Sequence, residues 1–181
     1  MSKAFTRESD DLPENPPPRL QSLLPPGVRN FLTPDGAHRF QEELNRLVED
    51  ERPRLAATAA DSREQRHQLQ ALDQRIQQLR QSLHLAEVVP APPQPWDQVR
   101  FGATVIVKDS RGDKSNYRIV GAVEMDADRG WVSWLSPIAK VLLHGKRGQR
   151  VRFKFPSGEE LLEILDISYH GRRADESEGQ Y

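Results

Sequence analysis

The residues that could carry chemistry are few and scattered. There is no cysteine, which excludes a thiolate nucleophile, a thiolate metal site and a disulfide framework. The histidines, His38, His67, His84, His144 and His170, never fall at the H-x-x-x-H spacing of a metal pair, and each reads as a surface residue. No G-x-S-x-G, phosphate loop or G-x-G-x-x-G occurs. Asp126 and Asp128 flank a turn and could chelate a cation, but turn carboxylates are common without one. No catalytic residue, metal ligand or cofactor is therefore assigned. Surfaces remain. Lys146, Arg147, Arg150, Arg152 and Lys154 form a basic patch, read either as the solvated face of one strand or as a contact for phosphate or an acidic protein. Ile138, Val141, Leu142 and Leu143 give one short segment more apolar surface than it needs to cover a small sheet. Core packing and an exposed docking patch are the two readings.

The element that would position any of these is a helical hairpin over residues 40–85. Leu69, Leu72, Ile76, Leu79 and Leu83 recur at alternating three- and four-residue spacings on an otherwise polar stretch, an a/d seam. Phe40, Leu44, Leu47 and Leu55 answer it from the first half. Neither stripe can be buried alone, so the helices fold back antiparallel. Thr33 is the expected N-cap of the first helix and Pro34 its first residue. Pro53 is expected to kink that helix or shift its register near Arg52. The turn falls near residues 61–65, with Asp61 or Ser62 as the cap of the second helix. Asp61 and Glu64 are the only acids near this tip.

Beyond residue 100 the period changes to two. Strands are expected at 104–107, 117–123, 131–135, 150–155 and 161–169, with a short helix over 138–143 behind Ser136-Pro137. Trp131 and Trp134 fall on opposite faces of their strand. The expected class is α+β in two domains: an antiparallel coiled coil, then a small antiparallel sheet with one short helix. The expected boundaries are a disordered proline-rich arm at 1–31, the coiled coil at 32–87, and a stiff proline-rich linker at 88–98. A globular domain at 99–170 and a polar tail at 171–181 follow. The net charge of −1 points to no particular partner. No apolar run approaches the roughly 18 residues of a membrane span, and the charged start lacks a signal-peptide core. The expectation is a cytoplasmic monomer with no membrane contact.

Several short motifs stand in one order along residues 32–169. They are Leu32-Thr33-x-x-Gly36, Glu43-Leu44-x-x-Leu47, Glu51-Arg52-Pro53, Phe101-Gly102-Ala103-Thr104-Val105, Tyr117-Arg118-Ile119-Val120-Gly121, Ser136-Pro137-Ile138-Ala139-Lys140 and Pro156-Ser157-Gly158. In these the chain resembles the bacterial Gre family of transcript-cleavage elongation factors. The resemblance implies a coiled coil followed by an FKBP-like domain, with RNA polymerase as partner and nucleic-acid contact only through the transcription complex. It implies that the globular domain docks at the rim of the polymerase secondary channel and the hairpin enters it. Ser136, Pro137, Ile138, Ala139, Lys140 and Leu142 are then expected on the polymerase-facing surface. Cleavage-competent members carry an acidic loop at the hairpin tip that helps hold a second Mg²⁺, a metal that takes hard oxygen ligands. That loop is missing here, and the stretch between Pro53 and Val88 is shorter by roughly a dozen residues, which would shorten the reach by up to roughly 9 Å. Asp61 and Glu64 read instead as a cap and a helix-start residue.

Overall fold

The computed structural model describes residues 24–58, 62–169 and 172–173. Residues 1–23 of the expected arm, 59–61, 170 at the end of the expected globular domain, and 171 and 174–181 of the expected tail lie outside the described residues. A short strand, β1 (Asn30–Leu32), leads directly into α1 (Pro34–Arg46). Thr33 ends the one and caps the other: its hydroxyl accepts from the Gly36 N–H at 3.0 Å, and Pro34 supplies a pre-set φ where no donor is needed.

Pro53 acts as expected but upstream of itself. Residues Leu47–Glu51 form a π-helical turn before α2 (Arg52–Thr58). Proline has no N–H, and its ring would strike the carbonyl four residues back. Widening the turn moves the ladder to i→i−5, and the Arg52 N–H accordingly reaches the Leu47 carbonyl. The return helix is α3 (Arg63–His84). Leu47, Ile76 and Leu79 are buried at the seam, with Phe40, Leu44, Val48 and Leu72 packed around them. Arg75 holds Glu43 through two bonds of 2.8 and 3.0 Å, and Arg52 reaches Asp73 at 2.7 Å. These pairs cross from one helix to the other and fix their register.

The chain leaves the hairpin through β2 (Ala86–Val88), which pairs in parallel with β1; Leu32 lies opposite Val88. The proline-rich stretch that follows is not a free spacer. The Val89 N–H bonds to the Leu32 carbonyl at 2.9 Å, Ala91 packs on the globular core, and Trp96 is buried in it. The Trp96 indole N–H is satisfied by the Pro92 carbonyl at 2.9 Å.

The second unit is a sheet of β3 (Thr104–Lys108), β4 (Lys114–Val120), β5 (Trp131–Ser133), β6 (Arg150–Phe155), β7 (Gly158–Tyr169) and β8 (Arg172–Arg173). The order is β5-β4-β3-β7-β6, with β8 also on β7. It is mixed, not purely antiparallel: β4 and β5 run parallel. Residues 121–130 carry the chain back to the end from which β4 started, through a 3₁₀ turn at Ala122–Glu124. The helix α4 (Pro137–Leu142), capped by the Ser136 hydroxyl on the Ala139 N–H at 3.2 Å, covers the core. Val99, Val105, Val107, Ile119, Ile164 and Ile167 are among its fully enclosed side chains. Among the described residues no helix is long and apolar enough to cross a membrane.

Candidate functional site

At the hairpin tip, Ser62 and not Asp61 caps α3. Its hydroxyl accepts from the Gln65 N–H at 3.1 Å and donates to the Gln65 side-chain oxygen at 3.2 Å. Glu64 sits exposed in the first helical turn, where its charge complements the positive helix end. Asp61 lies outside the described residues. Around the tip Arg54, Arg63 and Arg66 are exposed. Among the described residues no group of three or more His, Cys, Asp or Glu side chains could hold a metal. Asp126 instead pairs with Arg129 at 3.2 Å and accepts that residue's N–H at 3.3 Å, so it closes its own turn.

The α4 segment divides by face. Ala139 and Leu142 are fully buried in the sheet core, so neither can touch a partner directly; this corrects the expectation that placed them on a docking surface. Helical geometry makes the outcome necessary, because residues three apart share the side that faces the sheet. Pro137 and Lys140 are exposed. Ser136 and Ile138 are half-buried, and Ile138 leans on the core. The surface this helix offers therefore includes Pro137, Lys140 and the free edges of Ser136, Ile138 and the half-buried Val141.

The basic patch is partly neutralised by the neighbouring strand. Arg147 bonds Asp166 at 2.8 Å, while Arg150 lies 3.7 Å from Glu163 and Arg152 3.7 Å from Glu159. Lys154 lies opposite Glu159 in the β6–β7 ladder, and Lys146 is exposed in the approach loop. Antiparallel pairing puts these acids beside the bases, which favours the reading of a solvated, charge-paired sheet face over a phosphate contact.

What the sequence reading missed is the joint at the base of the hairpin. Glu124, in the 3₁₀ turn, has a side chain with 0% exposure. Its carboxylate accepts from the Thr33 N–H at 2.9 Å, the Thr33 hydroxyl at 2.5 Å and the Gly121 N–H at 3.0 Å, with the Arg39 guanidinium 3.7 Å away. Gly36 makes room for it: a Cβ there would fall on the carboxylate and within 2.9 Å of the Glu124 Cγ. A Cβ on Gly121 would lie 2.8 Å from the other oxygen and would strike the Phe31 carbonyl. Beside this socket Trp131 stacks under three guanidiniums, Arg39 at 4.4 Å and Arg118 and Arg129 at 5.1 Å. Arg118 also bonds Asp35 at 2.5 Å. Phe31 packs against Trp134 and Phe101, with ring centroids 5.0 and 5.7 Å apart. One signal was available: Thr33 and Gly36 stand together in one motif, and Gly121 closes another.

Comparison with known proteins places this architecture. Residues 93–169 match the family model described as "Transcription elongation factor, GreA/GreB, C-term". Transcription elongation factor GreB of Neisseria meningitidis is 34% identical over an alignment of 155 positions that covers 78% of this chain and 95% of that protein. Transcription elongation factor GreA of Alkalilimnicola ehrlichii is 37% identical over an alignment of 152 positions that covers 76% of this chain and 96% of that one. Among solved structures, the elongation factor GreA/GreB from Nitrosomonas europaea covers 78% of this chain and 100% of its own, at 19% identity and a TM-score of 0.39, a likeness too loose to carry an argument.

Proposed function

Since this chain belongs to the GreA/GreB family of transcription elongation factors, we propose that it is an RNA polymerase-binding regulator of elongation that acts through the secondary channel, with weak or absent stimulation of transcript cleavage. In this reading the chain is a cytoplasmic monomer and not itself an enzyme. The hairpin is the part that enters the channel, and the exposed edge of α4, Pro137, Lys140 and Ile138, contributes to docking at the rim. The globular domain supplies the platform from which the hairpin projects.

The observation that carries the reading is the make-up of the tip. Mg²⁺ is held by oxygen ligands at about 2.0–2.1 Å, so a group that shares it must be delivered within a few tenths of an ångström. Here Ser62 is used to start α3, Glu64 serves as a helix-start acid, and Arg63 and Arg66 are exposed on the same first turns of the helix. Exposed guanidiniums oppose the approach of a divalent cation. A hairpin whose tip acids, Asp61 and Glu64, fall short of the metal would still occupy the channel, alter pausing and compete with factors that do promote cleavage. One observation favours the competing reading of a working cleavage factor: with Ser62 as the cap, Asp61 is not committed to starting α3.

The deciding experiment uses stalled, backtracked elongation complexes and follows the length of the RNA. Little or no shortening above polymerase alone is expected, together with inhibition of shortening by an added cleavage factor. Robust shortening that disappears in Asp61→Ala or Glu64→Ala would overturn the proposal. Failure of the wild-type chain to retain core polymerase at physiological salt would point instead to a binding module for another protein or nucleic acid.

A further inference from the structure

We propose that Glu124 is the latch that sets the direction of the hairpin relative to the sheet domain, and so aims its tip. The aim matters because of the reading above, in which the tip is the working end; the latch itself is a property of the free chain. Among the described residues Glu124 is the one charged side chain classed as buried. Its strongest partners come from both units. Thr33 begins the hairpin and Gly121 follows β4, and Thr33 and Glu124 are 91 positions apart in the chain. The carboxylate thus ties the N-cap of α1 to the globular domain with two hydrogen bonds, while the third, from the Gly121 N–H, holds the carboxylate to its own turn. Two glycines hollow out the space it occupies. A buried carboxylate bonded in this way has one low-energy position, since any rotation of α1 would strip donors from it without water to replace them.

The other ties at this joint are softer. Asp35, the partner of Arg118, is 44% exposed, and the Arg39–Trp131 stack lets a guanidinium slide over an indole face. The β1–β2 pair is three residues long and holds the foot of the hairpin, not its tilt. Tilt is what the tip amplifies. The 22 residues of α3 span about 33 Å. A 10° change at the base therefore moves the tip by about 6 Å, about half the 10–12 Å width of a helix with its side chains, enough to misdirect the hairpin at a narrow entrance. Glu124 acts on the tip only through this geometry, so it is a positioning residue.

The chain has no native cysteine, so a spin-label pair can be placed with Gln68→Cys on α3 and Lys154→Cys on β6, both exposed sites. Pulsed electron resonance on the free, full-length protein reads the distance between them. Wild type is expected to give one narrow distribution. Glu124→Ala is expected to broaden it by several ångströms while far-UV circular dichroism stays unchanged. Glu124→Gln, which keeps the shape and can accept both N–H groups through one oxygen, is expected to restore the narrow distribution. Gly36→Ala, which displaces the carboxylate from the other side, is expected to broaden it as Glu124→Ala does. Leu162→Ala, a core truncation away from the joint, is the control for lost stability and should leave the distance unchanged. A folded Glu124→Ala or Gly36→Ala chain with the wild-type distribution would overturn the proposal. So would global unfolding of both, since a latch sets direction and not folding. Failure of wild type to bind polymerase would sink the functional reading and leave this distance test standing.

Discussion

Replacing Gly36 by alanine sets two physical effects against each other with opposite signs. Gly36 is the third residue of α1 and has no unusual φ. On helix propensity alone, alanine there should stabilise the protein by about 1 kcal/mol. The structure predicts the reverse. The new methyl would lie 2.9 Å from the Glu124 Cγ and closer still to its carboxylate, so the carboxylate must leave its socket. Three bonds to it are then broken, from the Thr33 N–H, the Thr33 hydroxyl and the Gly121 N–H. Hydrogen bonds to a charged group contribute about 1.5–3 kcal/mol each, and water entering the opened joint recovers part of the sum, leaving a loss of about 3–4 kcal/mol. Subtracting the propensity gain gives a net destabilisation of about 2–3 kcal/mol, or about 5–10 °C in Tm for a chain of this size. Urea denaturation followed by circular dichroism measures it. In a Glu124→Ala background the same change should be neutral or mildly stabilising, because nothing remains to be displaced. A Gly36→Ala chain as stable as wild type, or more so, would refute the reasoning.

Two further outcomes test other parts of the structure. Leu142→Ala should cost about 2–5 kcal/mol of stability because it empties a filled core position, whereas Lys140→Ala should stay within about 0.5 kcal/mol; chemical denaturation of the pair checks the assignment of the two faces of α4. Burial pushes the Tyr169 phenol above its ordinary pKa of 10.0, against the pull of the Arg100 N–H bonded to its oxygen. The neutral phenol is thus favoured in the fold, and its stabilisation is present below pH 10 and lost as pH rises through the higher folded value. The denaturation midpoint should therefore fall above about pH 10, and Tyr169→Phe should lessen that fall; a wild-type midpoint flat to pH 11.5 would contradict the burial argument.

The parts of the fold legible in the sequence were those set by short-range chemistry. Thr33-Pro34 and Ser136-Pro137 announce helix starts because a hydroxyl cap and a proline at the first position act within one turn. The leucine seam of α3 declares its buried face by spacing alone. What stayed hidden depends on groups far apart in the chain. β1 is three residues long, and its partner lies more than fifty positions away, so no local period marks it. Glu124 stands between Val123 and Met125 with no local pattern to mark it, and only the approach of Thr33 and Arg39 makes it a buried anchor. The prolines of residues 90–95 do impose an extended path, but Trp96 at their end decides that the path is docked and not free. For the candidate site, the hydrophobic excess of residues 138–143 was visible, while its division into core and surface required knowing which side α4 turns to the sheet.

The parallel pairing of β1 with β2 has a consequence for how such a protein can change over generations. Leu32 and Val88 are neighbours, so the chain departs for the hairpin and returns from it at a single doorway. Everything between is an excursion whose two ends are already joined. Closing a loop of about 55 residues or one a dozen longer differs by only about 0.2 kcal/mol in chain entropy, because the cost grows with the logarithm of length. Matched insertions or deletions in the two arms would thus alter the reach of the probe almost freely, leaving the doorway and the domain behind it untouched. Reach and platform can drift as independent traits, and a family built on this plan can vary its tools without rebuilding the handle.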